Sequence, residues 1–213
     1  MELRKTMGTI AIVDYGVGNS GSIRNMFTRL GIEAQITSDP AAIRQADRLI
    51  LPGVGAFDNA MRNLGSRGLI DVLTELVMVK QRPVLGICLG MQIMTRSSEE
   101  GSLPGLNWIG ARTRRFCFAQ DKSPLRVPHM GWSVAVPRKI IPLWNGMEDC
   151  SRFYFVHSYY VSCDQESDVA TTTDYGGDFT SAFAHANLYG VQFHPEKSHR
   201  FGMALLKNFA ELA

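Results

Sequence analysis

Apolar positions in the first half of the chain alternate between short unbroken runs and a helical repeat. Thr9 to Val13 (T-I-A-I-V) is a continuous run, the pattern of a strand buried on both faces. Ile23, Met26, Phe27 and Leu30 recur at i, i+3, i+4 and i+7, one face of a helix, and Gly31 ends it. Glu33 to Thr37 predicts a second strand, and Arg48 to Leu51 a third that stops at Pro52-Gly53. Leu69, Val72, Leu73 and Leu76 restore the helical spacing, and Val84 to Ile87 predicts a fourth strand. This β-α-β-α rhythm predicts an α/β fold with an open, mostly parallel sheet flanked by helices.

The pattern changes from about Trp108. Runs become shorter and richer in β-branched and aromatic residues. Arg152 to Val161 (R-F-Y-F-V-H-S-Y-Y-V) and Leu188 to Phe193 read as strands. Pro124, Pro128, Pro137, Pro142 and Gly176-Gly177 punctuate the loops between them. These segments predict an antiparallel region added to one end of the sheet. Phe201, Ala204, Leu205, Phe209 and Leu212 then predict a closing amphipathic helix. No repeat or low-complexity linker divides the sequence, so residues 1–213 are expected to form one domain.

Composition narrows the classes of function. A chain of 213 residues that is 45% hydrophobic buries a sizeable core and is not disordered. A net charge of +2 makes no electrostatic case for nucleic acid or a membrane surface, and no apolar run approaches a membrane span. Met1 to Thr6 lacks the apolar stretch of a signal peptide, and Met7 is an alternative start. A cytoplasmic protein with free thiols is the expectation. Among the cysteines, Cys88, Cys117, Cys150 and Cys163, none forms a C-x-x-C pair, so no metal site is expected. Cys117, Cys150 and Cys163 are expected as small hydrophobes in or near the core.

Cys88 stands apart. In Gly86-Ile87-Cys88-Leu89-Gly90-Met91-Gln92 it lies between two glycines where a strand gives way to a helical stretch, the arrangement of a nucleophile elbow. The helix N-terminus there would favour thiolate. A nucleophilic cysteine needs a base, and the base needs an orienting group. Of five histidines, His194 lies in Gln192-Phe193-His194-Pro195-Glu196, with Glu196 placed to accept its second N–H. On its own this motif is a weak signal that reads more readily as a surface turn after a strand, and the elbow reverses that reading. Gly53 and Gly55, in Leu51-Pro52-Gly53-Val54-Gly55-Ala56-Phe57, follow a predicted parallel strand. Their backbone, with the N–H of Leu89, suits an oxyanion hole. A competing motif is Gly16-Val17-Gly18-Asn19-Ser20-Gly21, a literal G-x-G-x-x-G after a strand, with Asp39 at about the spacing of a dinucleotide site.

Taken together, the Gly53, Cys88 and His194 segments are similar to the three signatures of triad-type glutamine amidotransferases. Within that family the chain resembles the glutaminase subunits of imidazole glycerol phosphate synthases. Asp14 to Asn19, Ser97 to Gly101, Val127-Pro128-His129-Met130-Gly131-Trp132 and Tyr154-Phe155-Val156-His157-Ser158-Tyr159 extend the resemblance over the whole chain. The resemblance implies a flavodoxin-like, class I amidotransferase fold with no cofactor. It implies hydrolysis of L-glutamine to glutamate and ammonia by Cys88, His194 and Glu196. Gln92, His157, Ser158 and Tyr159 would hold the substrate's amino-acid end. The ammonia would pass to a (β/α)8-barrel cyclase partner, which forms imidazole glycerol phosphate and an aminoimidazole ribonucleotide in histidine biosynthesis. Asn19, Ser22, Met130, Trp132 and Lys197 would face that partner, with Trp132 alternatively an ordinary core residue. Ser133, Ser20-Gly21, Thr171 to Gly176 and Lys197 to Met203 instead resemble relatives that feed a sugar amidotransferase in lipopolysaccharide synthesis.

Overall fold

The computed structural model describes residues 8–118 and 125–212. The alternative start at Met7, the leader question over Met1 to Thr6, and Pro124 lie outside the described residues. The elements run β1 (Ile10–Val13), α1 (Ser20–Arg29), β2 (Ala34–Thr37), α2 (Pro40–Gln45), β3 (Arg48–Gly53), α3 (Phe57–Ser66), α4 (Leu69–Thr74), β4 (Val84–Cys88) and α5 (Leu89–Ile93). There follow β5 (Ala111–Arg115), β6 (His129–Val134), β7 (Val136–Pro137), β8 (Arg152–His157), β9 (Tyr159–Cys163), β10 (Val169–Asp174), β11 (Asp178–His185), β12 (Leu188–Val191) and α6 (His199–Ala210). No helix among the described residues is long and apolar enough to cross a membrane.

The main sheet is ten-stranded, with spatial order β2-β1-β3-β4-β12-β11-β10-β7 and with β9 bridging β11 to β5. From β2 through β12 every pairing is parallel. Successive residues of these strands feed opposite cores. Ile10, Ile12, Ile50, Leu85 and Ile87 pack on the side of α1 and α6, with Phe27, Leu205 and Phe209. Ala11, Val13, Leu49 and Leu51 pack on the side of α2, α3 and α4, with Ile43, Met61, Leu64 and Leu73. Both faces of the parallel strands are therefore dry, which is why their sequences are unbroken apolar runs. β6 and β8 form a separate two-stranded sheet, tied to the main sheet where the His194 N–H, just beyond β12, donates to the Tyr154 carbonyl of β8.

Several expectations need correction. The run from Arg152 to Val161 is two strands broken at Ser158: β8 joins β6, while β9 joins β5 and β11. Pro52-Gly53 does not stop β3, which continues to Gly53 opposite Cys88. Proline is tolerated because β1 pairs with β3 only as far as Ile50, so no partner waits for the missing N–H. β12 is not one arm of a purely antiparallel region. It runs antiparallel to β11 on one side and parallel to β4 on the other, joining the two parts of the sheet. Cys117 and Cys150 are exposed and so are not the core hydrophobes expected, whereas Cys163 is half-buried and packs against the core beside α2, α3 and α4, as expected. The periodicity reading did not mark α2 or α3. Asp39 accepts from the N–H of Ala41 to cap α2, with Pro40 at its first position.

Candidate active site

The strand order places β1, β3 and β4 so that their carboxyl ends meet, the position where open α/β sheets bind ligands. Cys88 closes β4 with φ +54° and ψ −109°, a left-handed conformation that a non-glycine residue adopts only under strain. The turn is this tight because its glycines touch backbone. A Cβ on Gly90 would lie 1.7 Å from the carbonyl oxygen of Leu51, and one on Gly86 would lie 2.6 Å from that of Gly90. The helix after the elbow is only five residues long. Its dipole is correspondingly small, so the main positive charge facing the sulfur comes from a side chain.

That side chain is His194. It follows β12, and its backbone is pinned to the two-stranded sheet. Its N–H donates to the Tyr154 carbonyl at 2.9 Å, and its carbonyl accepts from Ser198 Oγ at 2.6 Å. Nδ1 donates to Glu196 Oε1 at 2.8 Å, which directs Nε2 away from the carboxylate. Nε2 is buried and makes no aligned hydrogen bond, yet Cys88 is near enough to interact with it electrostatically. Burial opposes charge on this imidazole, but Cys88 and Glu196 together outweigh it and push the pKa up to about 10. A neutral hydrogen bond also reaches the thiol: Gln192 Nε2 donates to Cys88 Sγ at 3.6 Å.

The cysteine opens into a cavity of about 340 Å³ lined by Gly55, Leu89, Gln92, His157, Ser158 and Tyr159 as well as His194. The structure thus gathers Cys88, His194, the Gly55 and Leu89 turns and the proposed substrate residues around one space, with Glu196 buried behind His194. Gly53 lies against the back of the elbow, where an added Cβ would be 2.8 Å from the Gly90 nitrogen. Gln92 is less free than the sequence suggested. Its Nε2 donates to the Tyr159 carbonyl and to Gln192 Oε1, each at 3.1 Å, which leaves Oε1 as the atom outside these bonds. His157 is buried. Its pKa is lowered to about 3 by burial and by the neighbouring His129 and His194, against the pull of the Tyr159 carbonyl.

The expected partner-facing residues lie apart from the cavity interior. Asn19 is exposed and caps α1 through the N–H of Ser22 at 3.3 Å. Met130 and Trp132 point outward from β6 and are 61% and 46% exposed, so Trp132 is not a core residue. Its ring stacks on His199 at 5.4 Å with only 5° between planes. Lys197 Nζ sits 5.5 Å over the Tyr154 ring. The dinucleotide reading fails on geometry. Gly18 is packed against Pro52 and Gly53, Gly21 has open space where a fingerprint glycine would contact a strand, and Asp39 is spent on capping α2.

Motif reading missed four participants. Tyr15 is fully buried and donates to the Pro52 carbonyl at 2.5 Å, bracing the end of β3. Burial and the nearby Cys88 raise its pKa, so it remains a phenol. Glu100 lines the cavity and accepts the first N–H of α3, from Phe57, at 2.8 Å. Gln192 holds the thiol, and His129 contacts His157. Tyr15, Glu100 and His129 sit inside segments quoted for the resemblance, and Gln192 is the polar residue in an apolar strand end. Each was visible as a residue, but not as a contact.

Comparison with known proteins adds independent findings. The family model described as "Glutamine amidotransferase class-I" matches residues 11–212. A Methanococcus maripaludis protein named imidazole glycerol phosphate synthase subunit HisH 2 is 51% identical, over 96% of this chain and 100% of its own. A Pseudomonas aeruginosa protein of the same name is 50% identical, over 95% of this chain and 99% of its own. A Leptospira interrogans protein named imidazole glycerol phosphate synthase subunit HisH is 46% identical, over 95% and 100%. Among solved structures, PurLQS from Thermotoga maritima superposes with a TM-score of 0.70 at 15% identity, over 96% of this chain and 98% of its own. A chain titled as a glutamine amidotransferase gives 0.68 at 18% identity, over 92% and 98%. The structural likenesses speak to fold alone.

Proposed function

We propose, because this chain belongs to the class-I glutamine amidotransferase family, that it is the glutaminase subunit of an imidazole glycerol phosphate synthase, acting as one domain in the cytoplasm. The chain is a glutamine amidotransferase enzyme, with histidine biosynthesis as its pathway. The observation that carries the site assignment is Cys88, held in a glycine-like backbone conformation at the cavity and flanked by the buried His194–Glu196 pair.

The mechanism follows from those positions. Cys88 Sγ attacks the side-chain amide carbon of glutamine as thiolate, its proton taken by His194 Nε2. Backbone N–H groups from Leu89 and the Gly53–Gly55 loop receive the charge that develops on the amide oxygen. Each such donor typically lowers the barrier by about 3–4 kcal/mol. The protonated His194, kept in orientation by Glu196, gives its proton to the departing ammonia and leaves a thioester on Cys88. His194 then takes a proton from water, which attacks the thioester and releases glutamate. Gln92, His157, Ser158 and Tyr159 form the wall for the amino-acid end of the substrate.

The second half of the proposal is the fate of the ammonia. A (β/α)8-barrel cyclase subunit would receive it in a heterodimer, docked on Asn19, Ser22, Met130, Trp132 and Lys197. An exposed methionine and tryptophan side by side on one strand suit a buried protein contact. The test combines this chain with the cyclase subunit and follows formation of imidazole glycerol phosphate with glutamine or with ammonium as nitrogen source. Cys88→Ala should abolish the glutamine-dependent rate and leave the ammonium-dependent rate intact. Glutamine-dependent synthesis that survives the substitution would remove Cys88 from the mechanism.

A further inference from the structure

A second line of polar groups, half-buried at Ser133 and buried at His129 and His157, leads from β6 to the cavity. Ser133 Oγ lies 3.0 Å from His129 Nε2, His129 Nδ1 lies 3.1 Å from His157 Nε2, and His157 Nδ1 lies 2.7 Å from the Tyr159 carbonyl. A carbonyl only accepts, so His157 carries its proton on Nδ1 and accepts on Nε2. His129 must then donate from Nδ1 and accept on Nε2, and the Ser133 hydroxyl must donate. Each proton has one place to be. Both rings remain neutral in this arrangement, His129 because burial lowers its pKa to about 4 and His157 for the causes already given.

The line connects two distinct surfaces. Its outer end is β6, where His129 and Ser133 face inward and the intervening Met130 and Trp132 face outward. Its inner end is the break between β8 and β9, where the Tyr159 carbonyl also accepts from Gln92. His157, Ser158 and Tyr159 all line the cavity there.

We infer that Ser133 and His129 are positioning residues for glutamine: they fix the His157 ring, and through it the Tyr159 carbonyl and the wall that receives the amino-acid end of the substrate. The substrate role of that wall rests on the glutaminase reading. The residues touch no reacting atom, so their loss weakens substrate binding rather than the chemical step.

The test uses the complex with the cyclase subunit. Ser133→Ala removes the first donor and should raise KM for glutamine about five-fold while kcat stays within about two-fold, the signature of lost uniform binding. Ser133→Thr keeps a hydroxyl and should restore KM. Nitrogen-15 spectra of the imidazoles should show His157 as the Nδ1–H form in the wild type and a mixture in the alanine variant. A hydroxyl with a purely structural role would lower Tm and leave KM unchanged; that result, or an Nε2–H His157 in the wild type, overturns the inference. A wild-type complex that does not hydrolyse glutamine would sink the glutaminase reading and the relay's substrate role with it. An active wild type with an unchanged KM in the alanine variant sinks the relay alone.

Discussion

The two sides of the cavity treat a buried histidine in opposite ways. On the elbow side, His194 sits between a thiol and a carboxylate and is held protonated far above its ordinary range. At the β6–β8 wall, His129 and His157 are also enclosed but have no anionic partner, and burial drives both towards neutrality, helped at His157 by the neighbouring His129 and His194. Burial penalises the charged form of all three rings, and the partner decides which form survives it. The charge needed for chemistry is thus confined to one side, while the other offers fixed dipoles that do not titrate in the working range.

The most direct way to break this contrast is Glu196→Gln. The side chain keeps its shape but loses the charge that supports imidazolium, so His194 should titrate lower. With the base disoriented, kcat for glutamine should fall by about 10³-fold or more, with KM little changed. Steady-state kinetics beside the nitrogen-15 titration of His194 check both halves.

A smaller effect appears in stability against pH. His129 and His157 have folded pKa values below the unfolded value of about 6.5, so the unfolded chain binds more protons there. Stability should therefore fall as pH drops from about 6.5 towards their folded values of about 4 and 3, by at most about 1.4 kcal/mol per pH unit for each ring. His194 has the reverse sign. Its contribution is complete below about 6.5 and is lost as pH rises towards its folded value of about 10. Urea denaturation across this range should show His157→Gln flattening the acid limb and His194→Asn flattening the alkaline limb. An acid limb equally steep in His157→Gln would refute a neutral His157.

The smallest expected effect sharpens the picture of how the elbow side is braced. Tyr15→Phe leaves the Pro52 carbonyl without its buried donor and should cost about 1–2 kcal/mol in urea denaturation, with KM for glutamine unchanged. A raised KM would place Tyr15 in substrate binding instead.

The sequence made the elbow side legible and left the other side largely hidden, for a physical reason. Cys88 and its glycines, and His194 with Glu196, are joined by local geometry that a motif can express. The parallel strands likewise announce themselves because both their faces are buried. The break at Ser158 leaves no such mark. Phe153, Phe155, His157 and Val161 are all buried, so the inside–outside alternation runs straight through it while the chain changes sheets. The Ser133–His129–His157 line needs the pairing of β6 with β8 across residues far apart in sequence. α3 was missed although Phe57, Ala60, Met61 and Leu64 keep the helical spacing, because Ala56 supplies no side-chain cap to mark its start. The G-x-G-x-x-G match shows the converse error: a motif can be correct in letters while its glycines serve another contact.

The left-handed backbone at Cys88 also sets two kinds of selection against each other. Glycine would occupy φ +54° without the roughly 1–3 kcal/mol that such a conformation costs other residues. A lineage released from the need to turn over substrate would gain backbone stability by drifting to glycine at this position. The cysteine therefore preserves a record of function in the fold, at the site where stability alone would have erased it.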